Sequence, residues 1–259
     1  MNTKSNIFKE FCIIDFETTA LDFRKAKIID LGWAVRLEED EEWKASTFLI
    51  NPEEPIDPEI SSITSITNRM VKDANTLENV KPLVMPFFSH YEYFVAHNAQ
   101  YDQEVAKRQL ELDGKWICTM RLAKKALANE ENVKNFTLSY LRYRLDLDVP
   151  DEVTSHRADA DSFVTAKLFE YLVNRLIESG DIDATLSIGP QIEAILNKPI
   201  IIKKMPFGKY KGYNLTDVPV DYWKWAVVNM KQLDDTQDEF NPDLAASILP
   251  IIEKALDLS

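Results

Sequence analysis

A chain of 259 residues, 45% of them hydrophobic, is long enough for one sizeable α/β domain plus a smaller appendage, and it must bury a core. Cys12 and Cys118 sit in apolar runs without CxxC or Cys/His spacing, which argues against a disulfide framework or a zinc site and fits a reducing, cytoplasmic setting; no run approaches the roughly 18 apolar residues of a membrane helix. A net charge of -13 weighs against tight binding to long duplex nucleic acid, but not against chemistry at an end, where carboxylate-held cations bring the positive charge.

The first apolar run, residues 11–14, is short and β-branched and leads into Asp15-Phe16-Glu17, so it reads as a buried strand with a polar far end. Strands over 28–36 and around 48–50 follow, in an antiparallel meander, and residues 51–58 read as turns. Beyond Asn68, helical and extended patterns alternate. A helix is expected near 79–92, a strand at 94–96, a helix over 102–112, a strand at 116–118 and a helix near 121–127. Leu138, Leu141 and Leu145 recur at helical spacing, and a long helix carries Ala160, Phe163, Val164, Ala166, Leu168 and Leu172. Gly180, Gly189 and Pro190 then change the texture, placing a boundary near 179.

Three short segments carry titratable groups in suggestive places. Asp15 and Glu17 are two apart on a strand, so both carboxylates leave the same face and converge. By itself this is also what a solvated strand end looks like. Asp102 closes His97-Asn98-Ala99-Gln100-Tyr101-Asp102, directly after a strand and at the opening of a helix. His156 and Asp161 bracket the start of another helix. Either acid, alone, could be an ordinary helix cap. His90, among Phe87, Phe88, Tyr91 and Phe94, reads as a packing residue.

Together and in this order, Asp15-Phe16-Glu17-Thr18-Thr19, His97 through Asp102 and His156 through Asp161 resemble the three motifs of the DEDDh exonucleases, over about residues 8–176. Residues 66–71 and 118–123 also look familial. Ala20 stands where many relatives have Gly, Tyr101 where Phe is common, and Arg157 where the sister DEDDy group has Tyr. The resemblance implies a ribonuclease H-like mixed β-sheet flanked by helices. It also implies two divalent cations, Mg²⁺ or Mn²⁺, on four carboxylates: Asp15 bridging, Glu17 and Asp161 on one ion, Asp102 on the other. All-oxygen donors suit such ions, and a pair about 4 Å apart suits phosphodiester hydrolysis. His156 is the implied general base. Thr18, Thr19, Leu21, His97 and Asn98 are expected to contact substrate, although Asn98 could equally just fix the turn before Asp102.

Residues 198–213 hold Lys198, Lys203, Lys204, Lys209 and Lys211 without an acid, among Phe207, Tyr210 and Tyr213. Lysines track phosphates and aromatic faces stack on bases, so Lys209 and Lys211 are read as substrate contacts; a small β-hairpin with solvated lysines is the alternative. The run 205–212 with 218–225 resembles the small C-terminal α+β module of exonuclease X-like members. Asp234 to Glu239 reads as a solvated acidic loop. The expected organisation is an exonuclease domain over 1–178 and a linker helix with that module over 179–259. The expected activity is 3′–5′ removal of nucleoside monophosphates from DNA ends, single-stranded or frayed, in repair or end-processing. RNA trimming with the same site is the alternative. A non-catalytic nucleic-acid-binding protein would be marked by a missing ligand, and all five positions are filled.

Overall fold

The computed structural model describes residues 7–37, 42–128, 130, 133–150, 153, 157–237 and 241–257. They form two compact units, 1–195 and 196–259.

The first unit is built on a five-stranded sheet in the order β3-β2-β1-β4-β5. β1 (Phe11–Thr18), β2 (Ile28–Val35) and β3 (Lys44–Leu49) make the expected antiparallel meander. β4 (Tyr93–Ala96) runs parallel to β1, and β5 (Lys115–Cys118) parallel to β4. The central strand β1 is buried on both faces over its first half, which is why residues 11–14 are uniformly apolar. Its even-numbered side chains, Cys12, Ile14 and Phe16, pack with Val80, Val84 and Phe88 of one helix and Val105 and Leu110 of another. Its odd-numbered side chains face the other layer, where Phe11 meets Phe169 edge-on at 5.0 Å.

Two short helices follow the stretch expected to be turns. α1 (Pro58–Thr64) and α2 (Asn68–Val71) bury Ile60 and Val71 with Ile56 and Ile66. The start of α1 had a legible signal: Asp57 caps it through Glu59 N at 2.8 Å, with proline at the first helical position. α3 (Leu77–Phe88) stops four residues before the expected end, where His90 N and Tyr91 N turn back onto Phe87 and Phe88 carbonyls. α4 (Gln100–Val105) widens into a π turn over Ala106–Leu110 and ends at Glu111, which has φ 56°. α5 (Thr119–Ala126) and α6 (Leu138–Arg144) precede the long α7 (Ala158–Glu178), which lies across β1 and β2.

α8 (Ile188–Leu196) lies where a linker helix was expected, and it packs on the first unit. Gly189 sits where a Cβ would come within 2.4 Å of the Tyr93 ring, and Glu193 accepts from Tyr93 Oη at 3.0 Å. The second unit holds α9 (Val220–Asn229), α10 (Pro242–Asp257) and two short 3-10 turns around Met205, Leu215, Trp223 and Ile248. Among its described residues the β component is one antiparallel bridge, Lys204 to Asn214.

Candidate active site

Asp15 and Glu17 project from β1 on the face covered by α7. Their partners across the antiparallel pairing are Gly32 and Asp30 of β2, so four positions share one patch of that face. α7 reaches this patch because Gly32 has no side chain: a Cβ there would lie 2.1 Å from the Ala158 carbonyl carbon. Small and short residues on α7, Ala158, Ser162, Thr165 and Ala166, are buried along the same helix. The first turn of α7 thereby brings in Asp161. Carboxylate oxygens of Asp15, Glu17 and Asp161 lie within 4.8 Å of one another, all on half-buried residues.

Asp102 comes from the first turn of α4, beside the end of β4. It is buried, and its Oδ1 accepts from Phe16 N at 3.3 Å, between the two β1 acids. Four carboxylates in one partly dehydrated place cannot all ionise at ordinary cost. Burial, then Asp102, Asp161, Glu17 and Asp30, push Asp15 well above the usual carboxylate range. Burial first and then Asp161 and Asp30 push Glu17 up to about 8, against a lowering by Arg157. Burial raises Asp102 to about 7, partly offset by the Phe16 amide. A cluster that holds protons for want of positive charge, with only oxygen donors, fits a hard divalent cation. His156 lies outside the described residues.

The expected substrate contacts fare differently from one another. The Thr18 hydroxyl is 2.5 Å from Tyr101 Oη and donates to Ala20 O at 2.9 Å, while Tyr101 Oη also reaches Ala20 O at 2.6 Å. This cluster fixes the exit of β1. Thr19 donates to Glu54 at 3.2 Å and accepts from Lys27 N. Leu21 is 71% exposed just beyond. Both ring nitrogens of His97 are engaged inside the fold, Nδ1 with Thr119 Oγ1 at 2.9 Å and Nε2 with Phe136 O at 2.8 Å, and burial lowers its pKa to about 4. A neutral ring donating to Phe136 and accepting from Thr119 satisfies both. Asn98 is exposed with φ 62°, a backbone state that asparagine tolerates, and it makes the turn into α4. Lys209 and Lys211 are exposed in the second unit, on a loop closed by Met205 N to Tyr213 O at 2.9 Å and Gly212 N to Met205 O at 2.8 Å.

Asp30, Gly32 and Arg157 belong to the site's construction, yet pattern reading did not single them out for it. Their importance depends on pairing across strands, and Asp30 sits inside an apolar run that reads simply as a strand.

The model of a family described as "Exonuclease" matches residues 12–169, and one described as "Putative quorum-sensing-regulated virulence factor" matches 193–229. The chain is similar to Exodeoxyribonuclease 10 of Escherichia coli (strain K12), 29% identical over 244 residues that span 93% of this chain and 98% of that one. It is also similar to a PolC-type DNA polymerase III of Thermotoga maritima, 31% identical over 66% of this chain but only 12% of the polymerase. Among solved structures, Exonuclease X in complex with 5′ overhanging duplex DNA superposes with a TM-score of 0.54 at 30% identity, covering 72% of this chain and 99% of that one. Cell-death related nuclease 4 superposes with a TM-score of 0.52 at 13% identity, over 74% of this chain and 78% of that one, a likeness of fold alone. The sheet with its flanking helices is the ribonuclease H-like fold of Exonuclease X. The chain belongs to the exonuclease family, as a DEDDh-type member similar to Exonuclease X.

Proposed function

We propose that this protein removes nucleotides one at a time from the 3′ end of DNA, using divalent cations, Mg²⁺ or Mn²⁺, held on Asp15, Glu17, Asp102 and Asp161. The observation that carries the reading is the convergence of Asp15, Glu17 and Asp161 within 4.8 Å, with Asp102 one hydrogen bond away. When bound, the cations supply positive charge at the scissile phosphate and make water a stronger acid. The chain's own part is to hold the acids convergent before substrate arrives. It also raises the proton affinity of Asp15, Glu17 and Asp102, so that entering positive charge favours their ionisation. His156, on the sequence motif, takes the proton of the attacking water. Exposed Leu21 offers an apolar contact for a terminal base, and Lys209 and Lys211 of the second unit hold the strand's phosphates. Free Cys12 and Cys118 fit a reducing interior such as the cytoplasm, and no described helix is long and apolar enough to cross a membrane.

DNA is favoured over RNA as substrate because a relative matched along nearly its whole length is named an exodeoxyribonuclease, and the solved neighbour is in complex with duplex DNA. With DNA as substrate, the role assigned is repair or end-processing. The test is a time course on matched DNA and RNA oligonucleotides carrying a 5′ label. The expected result is a DNA ladder shortening by single nucleotides, with RNA cut more slowly. Preferential loss of RNA would make the enzyme an exoribonuclease, and release of the label as a mononucleotide at the outset would reverse the polarity.

A further inference from the structure

Asp30 is fully buried near the start of β2, where an isolated carboxylate would be costly. Its bonds indicate what it is for. Thr47 Oγ1 from β3 donates to Oδ1. Arg157 Nε donates to Oδ2 at 3.1 Å and Ala158 N to the same oxygen at 3.4 Å. Arg157 is the N-cap residue of α7 and its side chain makes no capping bond, so a free amide at the start of this helix is satisfied from the neighbouring strand instead. One position along the same face, Gly32 receives the Ala158 backbone.

The consequence for the acidic cluster is geometric. Asp161 N closes the first turn of α7 on Arg157 O at 2.9 Å, so Asp161 lies one helical turn from the residue that Asp30 grips. Asp30 stands directly across from Glu17, and Gly32 across from Asp15. The same stretch of β2 therefore holds β1 by its backbone ladder and α7 by the Asp30 carboxylate. We propose that Asp30 is a positioning residue, setting the separation of Asp161 from Asp15 and Glu17 by fixing the N-terminus of α7, and that it does so without touching cation or substrate. Its two oxygens are occupied by Thr47, Arg157 and Ala158. The proposal rests on the reading of the acidic cluster as a cation-dependent catalytic site. A buried ion pair need not stabilise a fold, since desolvation offsets much of the attraction, and a role in geometry accounts for its presence better than one in stability.

The test uses the full chain with Asp30→Asn, which keeps the volume and removes the charge, and Arg157→Gln, which removes the partner from the half-exposed side. Turnover and KM are measured on a 5′-labelled DNA oligonucleotide, Mn²⁺ affinity by calorimetry without substrate, and stability by thermal melting. The expected result for both variants is a folded protein with Mn²⁺ affinity and kcat lowered by about 10- to 100-fold and an unchanged KM. The double variant should be no worse than Asp30→Asn alone, because both changes break one connection. Wild-type kcat and Mn²⁺ affinity with only a lower melting temperature would make Asp30 a structural group and overturn the proposal. Should Asp30→Asn not fold, Arg157→Gln decides on the same two readouts. A wild-type protein that neither binds Mn²⁺ nor cuts DNA would instead defeat the catalytic reading on which the proposal rests.

Discussion

Glu17 shows what the site costs the fold. Its folded pKa of about 8 lies above the ordinary value of 4.5, so the folded protein holds a proton that the unfolded chain gives up between these values. Without cations, stability is fully present below pH 4.5 and is lost as pH rises toward 8. Glu17→Gln removes that loss. In EDTA at pH 8 the variant should be more stable than wild type by about 1–3 kcal/mol, less than the roughly 5 kcal/mol of a full shift because the carboxylate is partly hydrated. At pH 4 the two should match. Chemical denaturation at both pH values checks this, and a variant less stable than wild type at pH 8 would mean that the cluster is not under mutual repulsion. The placement of Asp15 and Glu17 on one strand face and of Asp102 and Asp161 on first helical turns was legible because these are local facts, while only the resemblance of the three motifs together joined the four into one expected site. Asp30 was not legible, because its meaning lies in a register that pairs it with Glu17 and in a helix more than a hundred residues away.

At the scale of elements, the loop of residues 205–213 presents the clearest test in the second unit. Lys203, Lys204, Lys209 and Lys211 are exposed around it, Lys209 Nζ lies 5.3 Å from the Tyr210 ring centre, and Tyr210 packs edge-on against Tyr222 at 4.9 Å. If this basic and aromatic surface captures single strands, changing the four lysines to glutamine should raise KM and leave kcat unchanged. Each lost phosphate contact should flatten the log-log salt dependence by about 0.7. Unchanged KM and salt slope would assign the surface to another partner. The sheet and most helices were readable from period and breaker residues, and a linker helix was expected beyond residue 179, where α8 lies. Gly189 and Pro190 look like a break in sequence, but Gly189 lies within a helix and gives room to the Tyr93 ring. Turns were expected over residues 51–58, and α1 begins at the end of that stretch, where Asp57 and Pro58 mark its start.

For the whole molecule, a net charge of -13 sets acidic surface against a polyanionic substrate, so activity should depend on cations for more than screening. A ribonuclease H-like unit, whose β1, α4 and α7 bring four acids together, is accompanied by a smaller unit with a local lysine-rich loop. The acids are proposed to hold the cations that make cleavage possible. The most direct measurement is cleavage of a 5′-labelled DNA oligonucleotide at saturating Mg²⁺ by wild type and Asp15→Ala, each with and without EDTA, alongside their melting temperatures. The expected result is a one-nucleotide ladder from wild type alone, abolished by EDTA, and no ladder from an Asp15→Ala protein that melts at or above the wild-type temperature. A ladder of wild-type rate from Asp15→Ala, or from wild type in EDTA, would contradict it.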